Sequence, residues 1–381
     1  MMQKIGLKKR LMLLRQKVPI MLRLRLNLLP QIRRMPRSPM LKQSTCQQHP
    51  LPLTKTRNPL LGSQFWSCKH QMNKQRRLWL SSWWRDVVGV GLLSIPLLVY
   101  SWRVLNRPSQ TAIAQPLYQG VTYQRMLRRI PHPVLLHLVK LDLQAPGLRV
   151  VVTPPDPKFQ NQATAALTTS QFVQATGVQL AVNASFFYPF REDAPWDYYP
   201  YRGDRTVPVG LTITNGKTLV PPKAEWPAIC FAPNNQAQIV ESGSCPPQTQ
   251  QAVAGNALIL KNGQIRRDSE ASDRDRSYGR TIVALDKSGR HLWLLIADDK
   301  QPHYSEGITL NKAAQILAEL GADTALNLDG GGSTTLVMRH QGQPKVLNAP
   351  IHTKLPMQER VVANHLGFFA QPLPPKSSQL P

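Results

Sequence analysis

The sequence predicts an α+β fold: a single mixed α/β domain with many short strands and few helices, behind an N-terminal membrane anchor. Three observations carry this expectation. From residue 123 onward, short apolar runs recur between clusters of turn residues, the pattern of strands. Helical period is clear over Ser305–Leu320 and shorter over Thr169–Thr176. One apolar stretch, Val87–Leu105, follows a basic segment and is near the lower limit of about 17 residues for a membrane-spanning helix.

Charge divides the chain in the same place. The net charge is +26, yet residues 1–110 hold 21 Lys and Arg against one acid, Asp86, which leaves only +6 on the rest. A basic tail beside an apolar stretch reads as membrane topology or headgroup attraction, not as a nucleic-acid surface, and no nucleic-acid-binding motif is present. Residues 1–71 are rich in Leu, Met, Arg and Pro without sustained period. They read as disordered, or as an extension ahead of a start at Met72. Residues 72–86 form a cytoplasmic basic flank. Residues 87–105 are the signal-anchor, with Trp79, Trp83, Trp84, Tyr100 and Trp102 as interfacial aromatics. Ala112-Ile113-Ala114 resembles a signal-peptidase site but lies far beyond the apolar core, so the anchor is expected to stay uncleaved. The domain is therefore expected to be periplasmic or extracellular. A linker is expected over 106–122, the domain over 123–370 and a loose tail over 371–381.

Within the domain, strands are expected at Val134–Leu143, Leu148–Thr153, Gln179–Val182, Val209–Thr214, Ala228–Phe231, Ala257–Leu260, Thr281–Leu285 and Leu292–Ala297. Asn215-Gly216 and Asn262-Gly263 are hairpin turns. In Ser305–Leu320, Leu310, Ala313, Ala314, Leu317 and Leu320 share one face, and Ser305 or Glu306 is the expected cap. His132 and His137 sit in a strand pattern and read as structural. Cys230 and Cys245 flank a turn-rich loop on the exported side. A disulfide between them is the favoured reading and two separate thiols the other.

Chemistry-bearing residues fall in a few places. Asp329 is followed by Gly330, Gly331, Gly332 and Ser333 between two apolar runs. Three glycines in sequence cost backbone entropy, so either the chain turns sharply there or something approaches it closely; a ligand is expected. Such a run would offer a nest of N–H groups to an anion, though it is no Walker loop, because the lysine is missing and a strand follows. Asn183 closes a strand before Ser185, Phe186 and Phe187; it reads either as a turn residue or as a ligand-binding amide. Arg280 opens a strand, either solvated or placed to hold a phosphate in bidentate fashion. Glu359 and Arg360 stand side by side, either as an ion pair or as site residues. Asp298, Asp299 and Asp329 would hold a divalent cation if the fold brings them together.

The order of these motifs resembles one family. N-A-x-F-F is followed by V-A-G-N-A-L-I-L-K-N-G, R-T-I-V-A-L, a helix leading into L-N-L-D-G-G-G-S-T-T-L, and E-R-V-V-A-N. This is similar to the phosphodiester glycosidase domain of the enzyme that uncovers mannose 6-phosphate, over about residues 135–370. The resemblance implies hydrolysis of a glycosyl-1-phosphodiester in an envelope or exported glycan. It implies Asp329 and Glu359 as base or nucleophile, and Arg280, Arg360 and the glycine nest around the phosphate. Asn183 and Ser333 would orient substrate oxygens. Two flanking carboxylates about 5–5.5 Å apart would imply retention, and about 6.5–9.5 Å inversion. One departure stands out: Asp298-Asp299-Lys300 occupies the place of the family's D-G-R. The alternative reading is a non-catalytic glycan- or phosphate-binding module of the same fold.

Overall fold

Strands that are apolar at nearly every position need cover on both faces, and the domain provides it. The computed structural model describes residues 87–374 apart from 89, 90, 93, 130–131, 160–162 and 267–275. Its largest sheet has eight antiparallel strands. Their order is Ile113–Tyr118, Val121–Arg128, Val134–Asp142, His291–Ala297, Arg280–Leu285, Thr324–Asn327, Ala257–Lys261 and Gln264–Ile265. Side chains alternate between two cores, as the period of a strand requires. Leu136, Leu138, Ile282, Ala284, Trp293 and Leu295 point to one side, where the helix Leu310–Glu319 covers them with Ala313, Ala314, Ile316 and Leu317. Val139, Leu141, Val283, Leu285, Leu292, Leu294 and Ile296 point to the other.

That second core is shared with two five-stranded sheets. One is ordered Gln343–Val346, Leu336–His340, Leu180–Asn183, His365–Phe369 and Arg149–Val152. The other is ordered Lys217–Val220, Thr212–Thr214, Gln251–Ala254, Ala228–Phe231 and Ala237–Val240. Val182, Leu336, Leu366 and Phe368 enter the core from the first, and Ile229, Phe231 and Val253 from the second. The helix Thr169–Thr176 covers the outer face of the first sheet with Phe172 and Val173. Thr168 caps it in a reciprocal box with Gln171, and Gly177 ends it at φ 75°.

Most expected elements are present with small changes of boundary. Both Asn-Gly turns have positive φ at both residues, 49° and 75° at Asn215-Gly216 and 52° and 71° at Asn262-Gly263. Cys230 and Cys245 are joined, with Cα atoms 5.8 Å apart. The second helix begins later than expected. Gly307 at φ 85° and the bridge between Ile308 and Tyr278 hold the chain extended, and Thr309 caps the helix through Lys312 N–H at 3.2 Å. The expected linker is partly strand: Ile113–Tyr118 pairs antiparallel with Val121–Arg128. Residues 1–86 lie outside the described residues. Helix is assigned at 87–88, 91–92 and 94–105. Among the described residues, no helix is long and apolar enough to cross a membrane. The end of this segment meets the domain, where Arg103 donates to Gln358 Oε1 at 2.8 Å.

Candidate active site

Three strand ends converge on one buried amide. Asn183 is fully buried at the end of its strand. Its Oδ1 accepts from the Thr281 hydroxyl at 2.8 Å and from Thr335 N–H at 3.1 Å, and its Nδ2 donates to the Asp329 carbonyl at 2.7 Å. It therefore ties the large sheet to the first five-stranded sheet and fixes the backbone at Asp329. Asn183 is expected from the sequence to bind substrate; its amide is instead engaged by the protein's own groups and does not line the cavity at Asp329.

The glycine run expected to form an anion nest is shaped in large part by the protein's own groups. Gly331–Ser333 form a 3₁₀ turn. Gly330 N–H donates to Asp329 Oδ1 at 2.9 Å, Gly331 N–H to the Gly279 carbonyl at 2.8 Å, and Ser333 N–H to the Gly330 carbonyl at 3.2 Å. These donors are spent internally. A Cβ at Gly330 would lie 2.4 Å from the Gly279 carbonyl oxygen, and one at Gly332 would lie 2.3 Å from Arg360 Nη2. At Gly331 the φ is 58° and a Cβ would strike the Tyr278 ring at 2.5 Å. The close approach is real, but its agents are a backbone, an aromatic ring and a guanidinium.

That guanidinium is held from several directions. Arg360 Nη1 donates to Ser333 Oγ at 3.2 Å, Nη2 pairs with Glu192, and Nε donates to His352 Nδ1 at 3.4 Å. Its Cζ lies 4.6 Å from the Phe190 ring centroid. Burial pushes the Glu192 carboxyl up, but His352, Arg360 and the Thr353 N–H outweigh it and bring the pKa down to about 2. Ser333 is thus a fully buried bracket for Arg360 and for the Asp329 side chain.

Asp329, Gly330, Arg280 and Arg360 line one cavity of about 330 Å³, together with Phe186, Phe187, Phe190, Tyr278, Asn256 and Asn327. Among the described residues, Asp329 is its one lining carboxylate. Burial raises the Asp329 pKa to about 6, opposed by the Ser333 hydrogen bond, the Arg360 charge and the Gly330 N–H. Arg280 enters from the mouth of its strand, with Nη2 donating to the Arg276 carbonyl at 3.0 Å. Asn256 and Asn327 stand inside two of the motifs, V-A-G-N-A and L-N-L-D, but are not among the residues expected to carry chemistry. Asn327 Nδ2 donates to Asn256 Oδ1 at 2.7 Å, while Asn327 Oδ1 is buried without a partner. An orphaned acceptor at a cavity wall suits a ligand hydroxyl.

Three expected site acids are elsewhere. Glu359 does not line the cavity: its Oε2 accepts Ser170 N–H at 2.9 Å, in the first turn of the helix Thr169–Thr176. There it satisfies a helix N-terminus, whose dipole favours a carboxylate. Asp298 is locked inside a network. Its Oδ1 accepts from Asn348 Nδ2 at 2.8 Å and Ala349 N–H at 2.9 Å. Its Oδ2 lies 3.1 Å from His137 Nε2, whose Nδ1 meets the Tyr123 hydroxyl at 2.7 Å. Asp299 sits behind Gly279, with its pKa raised by burial. Among the described residues, no group of three His, Cys, Asp or Glu side chains could hold a metal ion, so the cation site expected from Asp298, Asp299 and Asp329 does not form.

Comparison with known proteins gives the geometry a family. A hypothetical protein from Synechocystis has a similar structure, with 16% sequence identity and a TM-score of 0.49. The match covers 68% of this chain and 64% of that one. The catalytic domain of zebrafish N-acetylglucosamine-1-phosphodiester alpha-N-acetylglucosaminidase, auto-inhibited by its pro-peptide, is 17% identical with a TM-score of 0.47, covering 70% and 87%. No curated protein matches the sequence. The phosphodiester glycosidase family model matches residues 176–369, which span Asn183, Arg280, Asp329 and Arg360. The chain belongs to the phosphodiester glycosidase family.

Proposed function

We propose that this chain hydrolyses glycosyl-1-phosphodiesters, releasing a free sugar and a phosphomonoester. The observation that carries the reading is the pairing, in one cavity, of a carboxylate with a pKa of about 6 and two guanidinium groups, under a wall of four aromatic rings. At neutral pH Asp329 is ionised and still a competent base. In the proposed reaction Asp329 takes a proton from water as the water oxygen bonds to the anomeric carbon. The bond from that carbon to the phosphate oxygen breaks, and its electron pair leaves on the phosphate. Arg360 and Arg280 stabilise the charge that gathers there. A phosphate monoester leaves readily, so no second carboxylic acid is required, in keeping with one lining carboxylate among the described residues. Phe186, Phe187, Phe190 and Tyr278 offer apolar faces to the sugar ring, and Asn327 accepts from a sugar hydroxyl.

Direct attack by water inverts the anomeric centre. The test is release of free sugar from a synthetic glycosyl-1-phosphodiester by the whole chain, with the first-formed anomer read by proton NMR. Inverted sugar supports Asp329 as base, and retained sugar makes it the nucleophile. Binding without release would support the alternative, a glycan- or phosphate-binding module, which the displacement of Glu359 from the cavity favours. Action on envelope or exported glycans, with the domain held outside a membrane by residues 87–105, is part of the proposal. Its support is the concentration of basic residues before that stretch and the Cys230–Cys245 disulfide.

A further inference from the structure

A second cavity, of about 750 Å³, adjoins the first. It is lined by the strip Glu192–Pro195, by Lys300–Pro302, by Ile351, Thr353, Lys354 and Pro356, and by Tyr100, Val104 and Arg107 from the segment preceding the domain. Two contacts join the cavities. Glu192, on the second, pairs with Arg360, on the first. Lys300, on the second, donates to the hydroxyl of Tyr278, on the first, at 3.2 Å, with its Nζ 4.7 Å from that ring's centroid. These pairs form a common wall, and a ligand extending across it would reach the second cavity.

Charge in that cavity is uneven. Both lining acids have partners: Glu192 has Arg360, and Asp193 lies 3.8 Å from Arg191. The three lining cations, Arg107, Lys300 and Lys354, form no ion pair among the described residues. Arg107 instead lies 4.3 Å from the Tyr304 ring centroid and donates to Gln301 Oε1 at 3.4 Å. The backbone here turns through positive φ at three residues. Lys300, Thr353 and Lys354 have φ of 56°, 50° and 65°. Thr353 and Lys354 are the two-residue turn of the hairpin between Ile351–His352 and Leu355–Pro356, whose geometry calls for positive φ at both residues and sets where Lys354 projects. Thr353 is pinned there by its N–H donating to Glu192 Oε1 at 2.7 Å.

We propose that this second cavity is an acceptor subsite. It takes the alcohol side of the phosphodiester when that side carries a further negative charge, such as a second phosphate or a carboxylate. The proposal rests on reading the first cavity as the seat of the scissile phosphodiester. It adds a preference for polyanionic acceptors over neutral ones. Lys354 is exposed and lines the second cavity alone, whereas Lys300 also touches Tyr278 of the first, so Lys354 is the residue to change.

The test compares two substrates with the same sugar and scissile phosphate, one with a methyl acceptor and one with a 3-phosphopropyl acceptor. The full chain is expected to prefer the charged acceptor by about tenfold in kcat/KM. That preference should fall about fivefold in Lys354→Gln, survive in Lys354→Arg and fall further in Lys354→Glu. Lys300→Gln should lower it similarly, and added salt should erode it in the parent chain. An equal preference in the parent chain and in Lys354→Gln overturns the proposal. If neither substrate turns over, the hydrolase reading fails separately. Calorimetric affinities for the non-cleavable phosphonate analogues of both substrates, in the parent chain and in Lys354→Gln, then decide the subsite by the same comparison.

Discussion

The side chain of Asn183 donates a 2.7 Å hydrogen bond to the main-chain carbonyl of Asp329, 146 residues away. One amide thereby sets the backbone from which the candidate catalytic carboxylate projects, and it spans two sheets in doing so. Replacing it with alanine strands the buried Thr335 N–H and the Asp329 carbonyl. Asn183→Ala should cost about 2–4 kcal/mol of stability. In the fraction that folds, kcat should fall more than KM rises, because the carboxylate is misplaced while the binding walls remain. Denaturant unfolding together with steady-state kinetics checks both parts, and a variant of unchanged kcat would separate Asn183 from the catalytic geometry.

Asp329 should trade stability for function. Its pKa is raised in the folded chain to about 6, so between the ordinary carboxylate range and pH 6 the folded state binds more protons than the unfolded. Stability therefore falls as pH rises through that window. Asp329→Asn removes the cost of a buried charge and should be more stable at pH 7 by about 1–3 kcal/mol, with turnover lost. The parent chain should lose activity as pH drops through about 6, where Asp329 takes up its proton. A thermal melt and a pH–rate profile test the two halves. Full activity in Asp329→Asn would remove the residue from the mechanism.

Glu359 provides the contrasting case. Its carboxylate closes the N-terminus of the helix Thr169–Thr176 through Ser170 N–H at 2.9 Å. Glu359→Ala should lower stability by about 1 kcal/mol, as loss of a helix cap does, and leave kcat near that of the parent. If turnover collapsed while the melting temperature held, Glu359 would return to the catalytic set.

How far the sequence discloses this arrangement depends on how local each signal is. Strands buried on both faces show as continuous apolar runs, so Thr281–Leu285 and Leu292–Ala297 are visible to within a residue. The strand Ile113–Tyr118 is not, because it is an edge strand exposed over much of its length and its sequence reads as a polar linker. Asp329 and Arg360 carry motif signals and do meet in one cavity. Asn256 and Asn327 stand inside two of the motifs as single polar residues at strand ends, and nothing local marks their meeting. Glu192 lies 168 residues from Arg360, so only the folded chain can pair them. The glycines do announce a close approach, but their sequence cannot say whether a ligand or the protein makes it. Glu359 misleads for the same reason. Its neighbour Arg360 faces the cavity, while its own side chain faces a helix end that the sequence does not bring near.

Arg360 supplies the sharpest test of phosphate recognition. It is 7% exposed and its guanidinium is shared among Ser333, His352 and Glu192, a fixed fork that an ammonium group cannot reproduce. Arg360→Lys should lower kcat/KM by about 10²–10³-fold, since the charge persists while its orientation toward the leaving phosphate is lost. Inhibition by the phosphomonoester product should weaken in parallel. Arg360→Gln would go further and remove the charge that helps hold the Glu192 pKa near about 2. A depressed carboxyl contributes stability above its unfolded pKa and loses it as pH falls toward the folded value. In Arg360→Gln the folded-state value rises, so acid unfolding should begin at higher pH than in the parent chain. An acid titration followed by circular dichroism reads that midpoint. An unmoved midpoint with unchanged product inhibition would leave Arg360 no part in either role.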